Sequence, residues 1–393
     1  MVALYVAAGA SFAALSARGL TVPLYAHDLG ASRFEVGALF SVSTLAAAAL
    51  SLPSGILVDR FGPRALLGVS FLLAAASQLA TAATTTVPPL FIWQMVGGLA
   101  AGAQQAALFS AVTESTSGSR LGRAMGWLTF SMQTGFFLGP SLAGIALRWI
   151  DIRTDIALTT ALLLFAVPSA IAASGTRQHT GQGLNLRVPL MNLIRQRAFV
   201  PLAIGLIAAT LGWGTVGAFL PVFGKEALGL PNSQVGYLLA IQAIVNGASR
   251  LPGGWLVDRA RHRWPIVFVA VIVWAVASTV LGHLTGFTWP AIVIAAGTPF
   301  MATAFVAIGV VFADLSASST RGVTMGVYGT VLFLGFSMGP LIFGPIVQGF
   351  GYAAGFTACA VVAAVLALVM AAFHAEPVRR RGRAPLPPPA PGT

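Results

Sequence analysis

The chain has 393 residues, of which 22 are Lys or Arg and 10 are Asp or Glu, giving 8% charged residues and a formal net charge of +12. A soluble domain carries roughly 25% charged residues, and a chain that is 57% apolar cannot hide its hydrophobic surface from water at this size. The balance argues against a soluble enzyme and a DNA-binding domain, and the single cysteine, Cys359, excludes an internal disulfide framework and any multi-cysteine metal site.

A membrane-crossing helix needs about 20 mostly apolar residues. Six such stretches run near 2–25, 34–58, 65–84, 89–113, 124–148 and 157–174. No basic leader precedes the first, so a cleaved signal peptide is not expected. A polar connector, 175–198, follows, with a short surface helix expected around Pro189 to Gln196. Six further stretches run near 199–223, 234–257, 265–284, 289–313, 323–348 and 353–373. The tail, 374–393, is basic and proline-rich and is expected to be disordered. The predicted organisation is therefore a first bundle (1–174), a linker (175–198), a second bundle (199–373) and a tail.

The basic residues sort by side. Hairpins after odd-numbered spans hold Arg33, Arg148, Arg153 and Lys225; the opposite side holds Arg60, Arg64, Arg120, Arg123, Arg177, Arg187, Arg195, Arg197, Arg259, Arg261, Arg263, Arg321 and four tail arginines. Cytoplasmic loops carry the Lys and Arg excess, so both termini are predicted to be cytoplasmic. The positive charge is a topology signal and calls for no nucleic acid.

The two halves repeat. Pro53, Gly55, Leu57, Val58, Asp59 and Arg60 recur as Pro252, Gly254, Leu256, Val257, Asp258 and Arg259, and Val36 and Gly37 as Val235 and Gly236, all 199 positions on. Met125, Gly126, Gly135, Gly139, Pro140 and Gly144 recur as Met325, Gly326, Gly335, Gly339, Pro340 and Gly344, and Glu114 as Asp314, now 200 positions on. Repeated halves around a central site are a common build of secondary transporters.

The loop Gly55-x-x-x-Asp59-Arg60-x-Gly62-x-Arg64, with its weaker copy at Gly254, Asp258 and Arg259, resembles the signature of the major facilitator superfamily. The run Gly126, Gly135, Gly139, Pro140, Gly144 in span 5 resembles that family's antiporter motif, with Ala143 where the family prefers glycine. The resemblance covers the whole chain. It implies an all-α polytopic membrane protein, twelve transmembrane helices in two pseudo-symmetric six-helix bundles. It also implies alternating access, a bacterial-type inner membrane, a monomer, no cofactor, and efflux of a small molecule against protons. Uptake by the same fold and a non-transporting ligand sensor are the alternatives. A membrane enzyme is disfavoured for want of a catalytic cluster.

Several residues carry physical expectations. Asp59 closes a helix whose C-terminal dipole opposes it. The resemblance implies that it meets the N-terminus of helix 11, after Gly322 and Val323, as a gate. Glu114 and Asp314 are placed to pair with Arg60 and Arg64. Gly135, Gly139 and Ala143 recur every four residues, so another helix backbone can approach; Pro140 bends the helix. Polar residues inside spans mark pathways. Ser11, Arg18 and Tyr25 share one face of span 1, and Gln94 and Gln105 one face of span 4; Gln133, Trp213, Gln242 and Asn246 complete the candidate substrate contacts. Arg18 is a positive charge at mid-membrane with no carboxylate expected deep in any span. That favours a neutral or anionic substrate and leaves the proton carrier unassigned, with His27, Asp28 and Glu35 only at the rim. Gly335-Phe336-Ser337-Met338-Gly339 matches a nucleophile elbow but lies in a membrane helix. No phosphate loop precedes the only lysine, Lys225, and no histidines stand at metal spacing.

Overall fold

In hydrocarbon every backbone N–H and C=O must be satisfied within the chain, and long apolar runs meet that demand as helices. The computed structural model describes residues 1–116, 121–173, 187–315 and 321–373, and the side chain of Asp59 and several flanking the gaps lie outside the description. The predicted tail and the first half of the predicted linker, 175–186, fall outside the described residues. Among the described residues there is no strand.

Helix α1 is Val2–Asp28. A helical run, Arg33–Ala83, is broken at Gly62, whose φ of 80° suits a residue without a Cβ, and so forms α2 (33–61) and α3 (63–83). Helices α4 (Val87–Ser115), α5 (Leu121–Ala146) and α6 (Ile152–Ala173) complete the first six. A short connecting helix, Arg187–Ile194, lies two residues earlier than expected. Helices α7 (Phe199–Glu226), α8 (Asn232–Arg259), α9 (Trp264–Leu281) and α10 (Thr288–Asp314) follow. A second broken run, Arg321–Ala372, bends at Gly351 with φ 84° to give α11 (321–350) and α12 (352–372).

The start of α2 is fixed by a capping box: the Ser32 hydroxyl accepts from the Glu35 N–H, and the Glu35 carboxylate accepts from the Ser32 N–H at 2.8 Å. Within the helices, buried hydroxyls bond back to the preceding turn, as Thr21 to Ala17, Thr210 to Leu206 and Thr298 to Ile294 do. That keeps them satisfied without water.

Among the described residues, eight helical stretches are long and apolar enough to cross a membrane, the last of them, Val323–Ala372, holding two helices. Leu72, Leu158, Phe165, Trp255, Val276 and Val365 point outward and exposed, an apolar girdle suited to lipid.

Helix α1 packs on α5 and α6, and α4 on the α2–α3 run; α7 packs on the α11–α12 run, and α8 on α10. The first and last six helices meet along two seams, α2 with α11 and α5 with α8, with α1 and α7 touching between them. Met1 and the end of α12 lie at one end of the bundle, the terminal end; the opposite end is the remote end.

Candidate functional site

Arg18 is buried, and its Nη2 donates to the Gln94 Oε1 at 2.5 Å. Its guanidinium occupies the space where a side chain at position 97 would stand, so Gly97 is what lets a cation sit between α1 and α4. Among the described residues Arg18 makes no ion pair, and the Gln94 Nε2 has no hydrogen-bond partner. A buried guanidinium held only by neutral dipoles is costly in hydrocarbon. The structure thus joins two residues that the sequence named separately.

The rest of that face of α1 turns to its neighbours. The Ser11 hydroxyl accepts from Gln104 at 2.7 Å, and the Tyr25 hydroxyl donates to the Thr84 carbonyl. Gln104, and not Gln105, is the buried glutamine at that level; Gln105 is exposed. The open side of α1 lies one residue on, at Gly19, which is exposed with free space where a Cβ would project; Gly217 on α7 likewise faces open space.

Depth follows from helix rise. Arg18 lies ten residues before the end of α1 and Gln242 ten residues into α8, so each is about 15 Å from the remote end. Gln133, Trp213 and Asn246 lie about a turn deeper, near the middle of the bundle. Gln242 is buried and its Nε2 has no partner, Asn246 accepts from Arg250 at 3.3 Å, and Gln133 reaches across the α5–α8 seam toward Gly247. Trp213 stacks on Trp274 at 4.7 Å and meets Phe305 edge-on at 6.2 Å, so its ring packs within the second half.

The glycine pattern divides its work. A Cβ at Gly135 would strike the Gly9 carbonyl, and one at Gly139 the Ala13 carbonyl, so α5 lies backbone to backbone on α1. Gly335 and Gly339 likewise let α11 approach α7, Gly335 against the Thr210 hydroxyl and Gly339 against the Thr215 hydroxyl and the Leu211 carbonyl. Gly144 and Gly344 sit on the seams: Gly144 against Gly236, Gly344 against Phe34. Gly55, Gly126 and Gly254 face open space.

At the terminal end, Arg60 stacks on Phe61 and Arg259 on Trp255, the latter at 3.3 Å from the ring centre. Arg64 and Asp258 are exposed. Asp314 pairs with Arg263 at 2.6 Å rather than with Arg60 or Arg64, because Arg263 is its neighbour within the same half. Arg263 stands 199 positions after Arg64, so it is the repeat of that signature arginine. Glu114 accepts from Ser110 at 2.9 Å. The predicted gate contact of Asp59 lies outside the described residues.

Two features escaped the sequence reading. Helix α6 begins at Ile152, five residues before the predicted span, and so buries Asp155 with its Oδ2 unpartnered. At the remote end, Glu226 accepts from Arg33 Nε at 2.7 Å and from the Tyr352 hydroxyl at 3.0 Å and lies 3.0 Å from His27 Nε2, while Lys225 Nζ lies 2.5 Å from Asp28. Gln348 adds a bond to the Phe34 N–H at 3.3 Å, and Arg148 one to the Tyr237 hydroxyl at 3.0 Å. All of these except the Tyr352 bond, which lies within the second half, join the two halves.

The model of the Major Facilitator Superfamily matches residues 4–231 and again 202–391. An uncharacterised MFS-type transporter of Methanocaldococcus jannaschii is 21% identical over 357 residues, covering 88% of this chain and 90% of that one. The quinolone resistance protein NorA of Staphylococcus aureus is 22% identical over 193 residues, about half of each chain (49% and 50%). Multidrug resistance protein 1 of Bacillus subtilis is 22% identical over 247 residues, 61% of this chain and 63% of the relative. Among solved structures, the nucleoside transporter NupG superposes with a TM-score of 0.77 over 95% of this chain and 98% of its own, at 15% identity, which shows a shared fold.

Proposed function

The chain belongs to the major facilitator superfamily, and on that footing we propose that it exports a small organic molecule across a bacterial-type inner membrane by alternating access, in exchange for protons. The observation that carries this reading is the arrangement of two repeated six-helix halves that meet along two seams, with polar groups at mid-depth. Arg18, Gln94, Gln133, Gln242 and Asn246 are the proposed substrate contacts. The excess of basic residues at the terminal end supports placing both termini in the cytoplasm. The remote end, with its ion pairs, is then the outer face.

Export is supported by the span 5 glycine pattern and by the partial likeness to proteins named for quinolone and multidrug resistance. The signature residues Asp59, Arg60 and Arg64, with Asp258 and Arg259 in the second half, form the proposed inner gate. Expression in a drug-sensitive strain, scored for resistance and for accumulation of a compound panel, tests export; raised accumulation indicates uptake instead. Substrate movement without a counterflow of protons in energised vesicles contradicts exchange. Asp59→Asn is expected to slow transport while leaving the protein inserted, and wild-type flux in that variant rules out its gating role.

A further inference from the structure

Every Asp and Glu of the described helices stands within four residues of a helix end. Two arginines do not: Arg18 lies ten residues before the end of α1 and Arg250 nine before the end of α8. Among the described residues neither makes an ion pair. Each takes the oxygen of a neighbouring amide instead, Arg18 that of Gln94 at 2.5 Å and Arg250 that of Asn246 at 3.3 Å. A guanidinium can only donate, so it fixes how the amide turns, oxygen toward the arginine and nitrogen away. The Gln94 Nε2 accordingly has no partner, nor has the Gln242 Nε2 at the same depth, and both side chains are more than nine-tenths buried. This depth therefore carries positive charge and unused donors, with no carboxylate among the described residues to answer them.

The second half offers rings near the middle of the bundle. Trp213 on α7, Phe305 on α10 and Phe336 on α11 are each partly exposed, with Trp213 and Phe305 6.2 Å apart and Phe305 and Phe336 6.5 Å apart. Trp274 of α9 backs the Trp213 ring and closes that side of the group. Gly19 and Gly217 link the two walls. They are repeat equivalents, each four residues before a proline inside its helix (Pro23 and Pro221) and nine before the helix end, and each opens onto free space. Gly19 adjoins Arg18, and Gly217 stands one turn from Trp213 on the same face of α7. Helices α1 and α7 lie between the two seams, so this free space is the space the seams enclose.

We propose that the transported molecule is an aromatic organic anion, its charge received by Arg18 and Gln94 of the first half and its ring by Trp213, Phe305 and Phe336 of the second. The proposal rests on the transport reading above and names the class of molecule carried. A guanidinium without a counter-charge is costly in hydrocarbon. An anion supplies that counter-charge and also accepts from the unused Gln94 N–H groups. A neutral ligand does only the second, and a cation does neither and is repelled. Charge-assisted hydrogen bonds are roughly twice as strong as neutral ones, so the sign of the ligand dominates its affinity. The rings select the body of the molecule, because stacked or edge-on aromatic pairs gain more than the burial of a saturated body of the same shape. One half reads the charge and the other reads the ring, so only a molecule carrying both spans the boundary along which the halves move.

The test compares probes of one shape: naphthoate, its neutral amide naphthamide, the saturated acid decalincarboxylate and the cation naphthylmethylammonium. Calorimetric titration of the full chain in lipid nanodiscs gives their affinities. Naphthoate is expected to bind about 10- to 150-fold tighter than naphthamide, the size of one charge-assisted hydrogen bond. It is expected to bind about 2- to 12-fold tighter than decalincarboxylate, the size of one aromatic contact, and the ammonium is expected not to bind. Arg18→Gln is expected to make naphthoate and naphthamide equal while the preference for the ring stays. Arg18→Lys, which keeps the charge, is expected to keep the preference for the acid, and Phe336→Leu to lose the preference for the ring alone. An amide or ammonium that binds as tightly as the acid, a saturated acid that equals the aromatic one, an Arg18→Gln variant that still prefers the acid, or binding of none of the probes overturns the proposal. Flux of the compound found by the resistance screen separates this from the reading beneath it. A neutral or cationic compound carried undiminished by Arg18→Gln sinks the substrate class and leaves transport standing, whereas a panel from which the wild type moves nothing in either direction sinks transport itself.

Discussion

Replacing Arg18 with glutamine isolates the role of the buried guanidinium, because its two energetic effects oppose each other. The variant removes a charge from mid-membrane, a relief of about 2.5–3.5 kcal/mol on insertion scales. It also removes the donor that meets Gln94 Oε1 at 2.5 Å, and a hydrogen bond from a charged group is worth about 1.5–3 kcal/mol. The space beside Gly97 that the guanidinium fills is left partly empty, which adds a small packing loss. The sum lies within about 1 kcal/mol of zero, so the thermal midpoint of the purified protein is expected to move by only about 2–4 °C. Transport responds differently if Arg18 meets the substrate. Losing one charged contact of that size lowers apparent affinity by about 10- to 150-fold. The assay pairs a thermal melt with flux into or out of proteoliposomes, normalised to folded protein, using a compound identified by the resistance screen. A fall in the midpoint well beyond about 4 °C with undiminished flux refutes the reasoning and makes Arg18 a brace between α1 and α4.

The glycine geometry separates two substitutions that look alike in sequence. Gly139→Leu drives a side chain into the Ala13 carbonyl and the Ser16 hydroxyl and is expected to lower stability by about 1–3 kcal/mol, whereas Gly126→Ala, in open space, is expected to be close to neutral in the same melt. Arg263→Gln breaks the bridge to Asp314, whose own side chain is 56% exposed, so the expected loss is modest, about 1 kcal/mol by denaturant or heat. Cys359 is buried against Thr215 and is expected to resist a water-soluble maleimide in the native protein and to label fully once unfolded; rapid labelling in the native state contradicts the packing of α7 on α12.

The membrane makes much of this fold readable, because lipid enforces long apolar runs and leaves few charges to interpret. The repeat was legible for the same reason: glycines and prolines at fixed offsets mark backbone contacts that both halves need. Individual side chains were harder. Gln94 and Arg18 stood out as polar residues in apolar spans, but their pairing depends on Gly97, whose role appears only when α1 lies against it. Gln104 and Gln105 are adjacent, and the 100° between successive helix positions decides which one is buried. Asp155 was hidden by a boundary placed five residues late. His27, Asp28, Lys225 and Glu226 were visible as charges at helix ends, where a charge reads as a marker of topology. Their crossed pairing belongs to the seam between halves and has no local signal.

The contact of Gly144 with Gly236 has a mechanical consequence. Two backbones touch there across the α5–α8 seam, so that a Cβ on either glycine would meet the Cα of the other. Ridges that interdigitate must climb over one another to turn; two smooth surfaces need not. The spot is suited to rolling contact, bearing the load between α5 and α8 while the remote end is shut. A bulky residue at either position jams the bearing, and the expected defect is a protein that melts normally yet moves nothing.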